Sequence, residues 1–158
     1  MAVFTFRRTQ RGDRTFFVLL HTSAAPDSAG WDAYVGALRQ SLPESKGRMH
    51  LFVATDGGGP NPEQRRSLAT ALAHVDTLTH VFTTGLVVRS IVTAFRWLGG
   101  SACAYHPNEF PRACLEAGHS PGDVLSLFTE AQCDLSAVAT LRLMRVAFAS
   151  DHRSSAPT

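Results

Sequence analysis

The chain is predicted to fold as an α/β domain on a mixed, mostly parallel sheet of about five strands, with extra helices at the C-terminal end. Three observations predict it. After residue 27, strand-like runs alternate with helical patterns, the order that builds parallel sheets. Met49 to Thr55 (MHLFVAT) is almost continuously apolar, as strands buried on both faces are. Two short strands separated by an Arg11-Gly12-Asp13 turn open the chain, which makes one antiparallel pair.

The elements follow in order. Val3 to Arg7 alternates Val3, Thr5 and Arg7 with Phe4 and Phe6, and Thr15 to His21 (TFFVLLH) is its hairpin partner. Asp27 or Ser28 can cap a first helix to about Leu42, where Trp31, Tyr34, Val35 and Leu38 form one apolar face and Pro43 stops the pattern. After the buried strand, the breaker DGGGPNP leads to a second helix, with Asn61 as cap, Pro62 in the first turn, and Leu68, Ala71, Leu72 and Val75 facing inward. Leu78 to Thr83 is the fourth strand. Thr83 or Thr84 can cap a third helix, Leu86 to Leu98, ended by Gly99-Gly100. Ala102 to Tyr105 is the fifth strand, and Asn108 is the expected cap of a fourth helix, EFPRACLEAG. Two more helices are predicted, Ser120 to Gln132 and Asp134 to Ala149, the latter carrying Leu135, Val138, Leu141, Met144 and Phe148 at helical spacing. Residues 1–119 read as the α/β domain, 120–150 as a helical extension of it, and 151–158 as a disordered polar tail.

Composition narrows the function classes. With 158 residues, 44% hydrophobic and 18% charged, the chain can build one packed core. Fifteen basic against thirteen acidic residues leave a net charge of +2, too weak to favour nucleic acid or an anionic membrane. There is one lysine, Lys46, among the basic residues, and the rest are arginine, which suits bidentate anion contacts but equally follows from a GC-rich genome. Cys103, Cys114 and Cys133 are too few and too widely spaced for a zinc knuckle or thioredoxin motif, and reduced thiols fit a cytoplasmic location. The apolar stretch Val81 to Leu98 is interrupted by Arg89 and Arg96, so no membrane insertion is expected. No cofactor or metal motif is present, and no catalytic residue is assigned.

The strand MHLFVATD, the breaker DGGGPNP, and the block HVFTTGLVVRSIVTAFRWLGGSACAYHPNEFPRACLEAG give a β-β-α-β-α-β-α-β-α order. Over residues 3–119 this resembles the STAS domain, the fold of sulphate-transporter tails and anti-sigma-factor antagonists. The resemblance implies a bacterial, cytoplasmic signalling module that works through protein–protein contact. In the antagonists an Asp-Ser pair opens the second helix, and a kinase phosphorylates the serine. Here Asp56-Gly57-Gly58-Gly59-Pro60-Asn61 has no hydroxyl after the aspartate, and Ser67 lies too far into the helix. The switch is therefore not expected at this junction, where a phosphate dianion would alter partner contacts.

Several residues are candidates for the working surface. Arg65, Arg66, Arg89 and Arg96 on the polar faces of the second and third helices can dock a protein partner or simply be solvated. Asp56, Gly57 and Gly58 after a buried strand, and Thr83 and Thr84 with Arg89 after the next, can hold an anion such as a nucleotide or phosphate, because open α/β sheets place ligands at strand carboxyl ends. These glycines and threonines can also be plain turn and cap residues. His106, Glu109 and Cys114 read as turn, cap and core more simply than as a metal or nucleophile site. The last helix, 134–149, either covers a sheet face of its own chain or makes a homodimer. Three functions are thus carried forward: a non-catalytic interaction module, a small-molecule or anion binder or enzyme, and a structural subunit assembling through the last helix.

Overall fold

A computed structural model describes residues 4–11, 14–44, 47–86, 92, 101–132 and 138–154. The predicted hairpin is present: β1 (Phe4–Arg11) and β2 (Arg14–His21) pair antiparallel, from Phe4 opposite His21 to Arg11 opposite Arg14. β1 runs past Arg7 because each of its later residues still has a hairpin partner. β3 (Met49–Thr55), β4 (Thr77–Phe82) and β5 (Ser101–Tyr105) then add in parallel, giving one sheet in the order β1-β2-β3-β4-β5. The sheet is the mixed, mostly parallel one expected.

That consecutive order has a consequence. Right-handed crossovers that all step the same way put their helices on one face. α1 (Ser28–Ser41) and α2 (Pro62–Ala71) lie there. Trp31, Tyr34, Val35, Leu38 and Leu68 pack on Phe17, Leu19, Met49 and Leu51. The caps are those the sequence names. The Asp27 side chain accepts from the Gly30 N–H at 2.8 Å. Asn61 and Gln64 each bond the other's backbone N–H at 2.9 Å, a capping box. The predicted third helix lies outside the described residues except Leu86, exposed, and Val92, buried beside Val81 and Ala102.

The other face would stand bare without the C-terminal helices. α3 (Phe110–Glu116), α4 (Pro121–Gln132) and α5 (Ala139–Ser154) cover it. Phe110, Ala113, Cys114, Val124, Phe128, Val138, Leu141 and Met144 close over Phe16, Val18, Leu20, Phe52, Ala54 and Phe82. Of the two roles open to the last helix, covering its own chain's sheet is therefore filled; Leu143 and Val146 stay exposed, at 41% and 59%.

Several boundaries differ from expectation; α2, for one, ends at Ala71, before Leu72 and Val75. Asn108 does not cap the fourth helix. It sits inside a short 3-10 turn, Pro107–Glu109, whose cap is His106: the ring accepts from the Asn108 N–H at 3.3 Å, and Glu109 returns to the His106 N–H at 2.9 Å. Pro107 at the first position needs no N–H partner, which moves the cap upstream. α5 continues to Ser154, so residues 151–154, expected in the tail, form its last turn, while 133–137 and 155–158 lie outside the described residues.

Candidate functional site

The parallel strands deliver His21, Thr55 and Phe82 to one edge of the sheet. The loop after β3 is tied down there. The Asp56 N–H reaches the His21 carbonyl at 3.3 Å, the Gly57 N–H reaches Thr55 Oγ1 at 3.1 Å, and the Gly58 N–H reaches the Thr22 carbonyl at 2.9 Å. Thr55 Oγ1 itself donates to the Gly58 carbonyl at 2.6 Å. Only glycine fits at 58, since a Cβ would run into the carbonyl oxygens of Thr22 and Ala24. Asp56 points to the far face, where its two oxygens accept from the N–H groups of Ala139 and Thr140 at 2.7 and 2.8 Å. Thr140 Oγ1 completes the junction by donating to the Thr55 carbonyl at 3.0 Å.

The anion cradle expected of Asp56, Gly57 and Gly58 is thereby corrected: their amides already have acceptors, and the carboxylate caps α5. A carboxylate at a helix N-terminus satisfies orphan N–H groups and complements the helix dipole. At the neighbouring junction Thr83 is buried. Its N–H donates to the Tyr105 carbonyl at 3.1 Å and its Oγ1 accepts from Gly85 at 3.1 Å, while Thr84 is exposed. Arg65 Nη1 donates to the Pro60 carbonyl at 2.8 Å. Arg66 is exposed; Arg89 and Arg96 lie outside the described residues. His106, Glu109 and Cys114 do not converge. Glu109 also pairs with Arg112 at 2.6 Å, and Cys114 is fully buried, where desolvation pushes its thiol pKa up and keeps it inert.

What the glycine loop does build is a wall. Gly58, Gly59 and Pro60, with His21, Trp31, Tyr34, Leu51, Val81, Val92 and Ala102, line a cavity of about 90 Å³ on the crossover-helix face. Trp31 is fixed by its Nε1–H donating to the Gln64 carbonyl at 3.0 Å, and Gln64 in turn donates to the Pro26 carbonyl at 3.0 Å. The cavity is apolar, yet two residues in its wall carry buried atoms with no hydrogen-bond partner among the described residues: the Tyr34 hydroxyl and His21 Nδ1. Tyr34 is 0% and His21 2% exposed. The ring of Phe4 touches both, at centroid distances of 5.9 and 4.7 Å. Desolvation drops the His21 pKa to about 3, so the imidazole is neutral, and raises that of Tyr34, so the phenol keeps its proton.

A cavity of about 90 Å³ forgoes roughly 2 kcal/mol of packing at ~24 cal/mol per Å³. Each unpaired buried polar group costs about 1–3 kcal/mol more. The cavity marks a place where an apolar occupant would gain packing contacts.

A second polar cluster lies on the opposite face. His50 Nδ1 is 2.9 Å from His80 Nε2, one ring donating to the other. Gly118, at φ +76°, ends α3 by turning the chain so that the His119 N–H reaches the Cys114 carbonyl at 2.9 Å, a Schellman closure. That turn lays His119 against Phe16, His50 and Phe52, at centroid distances of 4.8, 5.0 and 5.6 Å. Burial, reinforced by His119, Arg48 and Arg14 and opposed by Asp76, lowers His50 to about 4. Burial, with His50 and His119, lowers His80 to about 4. His119 is lowered by burial and Arg14, against Asp123. Among the described residues no group of three or more His, Cys, Asp or Glu is arranged to hold a metal ion. The cluster is a neutral, stacked layer of the core.

Sequence reading missed both groups. Trp31 and Tyr34 were legible as a helix face, but not the gap beneath them, and the histidines sit too far apart in the chain for any spacing to connect them. Among the described residues no helix is long and apolar enough to cross a membrane. Compared with known proteins, the chain matches no family model, no curated protein and no solved structure.

Proposed function

We propose that this chain is a non-catalytic regulatory module that binds a small molecule in the cavity beneath α1, at the carboxyl edge of β2 and β3. The observation that carries the reading is the apolar cavity of about 90 Å³ walled by Trp31, Tyr34, His21 and the glycine loop. Ligand sites in open α/β sheets favour this edge, and apolar pockets with a few polar groups are the usual form of a small-molecule site. The wall contains no thiol, carboxylate or cation among the described residues, and a histidine held neutral down to about pH 3 is a weak base. Both features favour binding over catalysis. The test is mass spectrometry of small molecules released by denaturing the protein purified from its own cells, beside an Ala102→Leu variant whose cavity is filled. A compound present with the parent and absent from the variant is the expected result. Identical extracts from both would refute the reading.

A STAS-like protein-interaction module is the second reading. It is favoured by the hairpin-first order of the sheet and by the exposure of Arg66 and of Leu86, which is 76% exposed beside Thr84. Arg66→Glu should leave the fold intact and remove a protein captured by the parent chain; an unchanged set of captured proteins would discard Arg66 as a contact. Ligand binding and partner docking are compatible in one regulatory domain.

A further inference from the structure

We propose that the outer edge of β1 receives an extended, acidic segment of a partner protein as a sixth strand of the sheet. This goes beyond the cavity reading and stands independently of it. β1 ends the sheet order β1-β2-β3-β4-β5, and among the described residues no strand pairs with its outer side. An edge strand presents N–H and C=O groups that no ladder satisfies, and a peptide adding there gains main-chain hydrogen bonds along its length.

A groove of about 360 Å³ runs along that edge, lined by Phe4, Thr5, Phe6, Arg7, Arg8 and Gly30. Successive side chains of a strand point to opposite faces, so a hollow touching five consecutive residues follows the backbone edge and not one face. Five residues span about 17 Å at ~3.4 Å each, the length of an ordinary strand. Arg7 Nη1 donates to the Phe6 carbonyl at 2.9 Å and to Thr5 Oγ1 at 3.4 Å. The Phe6 carbonyl is therefore open to a donor from outside the hairpin ladder.

The chemistry of the edge names its occupant. Phe4 and Phe6 turn to the α1 side, their ring centroids 5.9 and 5.4 Å from that of Tyr34. Arg8 follows on the same side, exposed, with Nη1 on the Ser41 hydroxyl, a neutral acceptor. Arg7, half-buried, belongs to the other side with Thr5. The charged residues among the described lining are Arg7 and Arg8; none is acidic. An added strand with apolar side chains beside Phe4 and Phe6 and carboxylates beside Arg7 and Arg8 matches this order, because cross-strand neighbours lie within about 5.5 Å and diagonal ones within ~8 Å. A guanidinium also fits the two oxygens of a carboxylate. A second copy of the chain would instead bring the same two arginines to the contact, and like charges across a strand pair destabilise it. The opposite edge strand, β5 (SACAY), is shorter and uncharged, so it offers no such selection.

The test titrates the full chain into fluorescent eight-residue peptides, read by anisotropy. One peptide alternates glutamate with valine, and a second carries lysine in place of each glutamate. Two more are the acidic peptide N-methylated at every glutamate amide or at every valine amide. An oligouridylate of the same length is the polyanion control. The acidic peptide is expected to bind at least tenfold tighter than the lysine peptide and the oligouridylate. At least one N-methylated form should lose binding tenfold, since alternate amides of an added strand face the edge. Hydrogen exchange should slow in Phe4 to Arg8 when the acidic peptide binds. Arg7→Glu and Arg8→Glu should each weaken the acidic peptide at least fivefold and strengthen the lysine peptide; the comparison of peptides on the parent chain holds whether or not a variant folds. Equal affinity for the acidic and lysine peptides, or no binding of either, would overturn the proposal. Tighter binding of the oligouridylate would make the edge a nucleic-acid surface instead. Full binding by both N-methylated peptides would reduce the contact to charge alone and remove the added strand.

Discussion

The two faces of the sheet are closed by different kinds of helix, and they differ in what they leave behind. α1 and α2 are crossovers: each is tethered at both ends to strands it must connect, so its height over the sheet is set by short loops. α3, α4 and α5 follow the last strand and carry no such obligation. The tethered face retains a cavity. The untethered face carries its own polar intruders: His50 and His80 bond to each other, while His80 Nδ1 and His119 Nε2 have no partner among the described residues. A helix bound to its crossover at both ends leaves a gap over the sheet.

Acid should test the untethered face hardest. His50 and His80 have folded pKa values depressed to about 4 from 6.5. The unfolded chain therefore binds more protons than the folded one below pH 6.5, and stability is lost as pH falls from there toward 4. The expected loss is on the order of 2 kcal/mol per pH unit, measured by urea unfolding between pH 7.5 and 4.5. His80→Phe should flatten the profile. A slope unchanged in that variant would move the acid sensitivity to the cavity face, where His21 titrates in the same direction.

One substitution made on both faces sharpens the contrast. Ala54 is fully buried under the C-terminal helices, and Ala102 lies in the cavity wall. Ala54→Val should overpack and destabilise by about 1–3 kcal/mol. Ala102→Val should fill space and stabilise by about 0.5–1 kcal/mol. Denaturation midpoints that shift in the same direction would contradict the difference in packing.

The smallest effect concerns the link between the faces. Asp56→Ala removes both side-chain acceptors at the start of α5 and should cost about 1 kcal/mol. Hydrogen exchange should quicken in the first turn of α5 and not in α1. Uniform quickening would show that the carboxylate supports the whole domain and not that one helix.

Much of this architecture was legible in the residues. The apolar run from Met49 predicts its strand, and the Asp27 and Asn61 caps and the Trp31-Tyr34-Leu38 face predict their helices, because each signal is complete within a turn or two of chain. The partners of the glycine-loop residues were not legible. Asp56 and the glycines look like a cradle so long as their partners are unknown. His106 displaced Asn108 as a cap because a proline stood between them.

The sequence by itself determined the order of the described elements, their periodicity and the Asp27 and Asn61 caps, since those depend on neighbours a few residues apart. Tertiary structure decided where the polar groups found partners. The bonds from α5 to Thr55 and Asp56 span 83 to 85 residues, and His50 meets His80 across 30. It also decided that Tyr34 and His21 found none among the described residues. Whether a buried hydroxyl or imidazole is satisfied depends on what the fold brings within 3 Å of it, and no local pattern carries that distance.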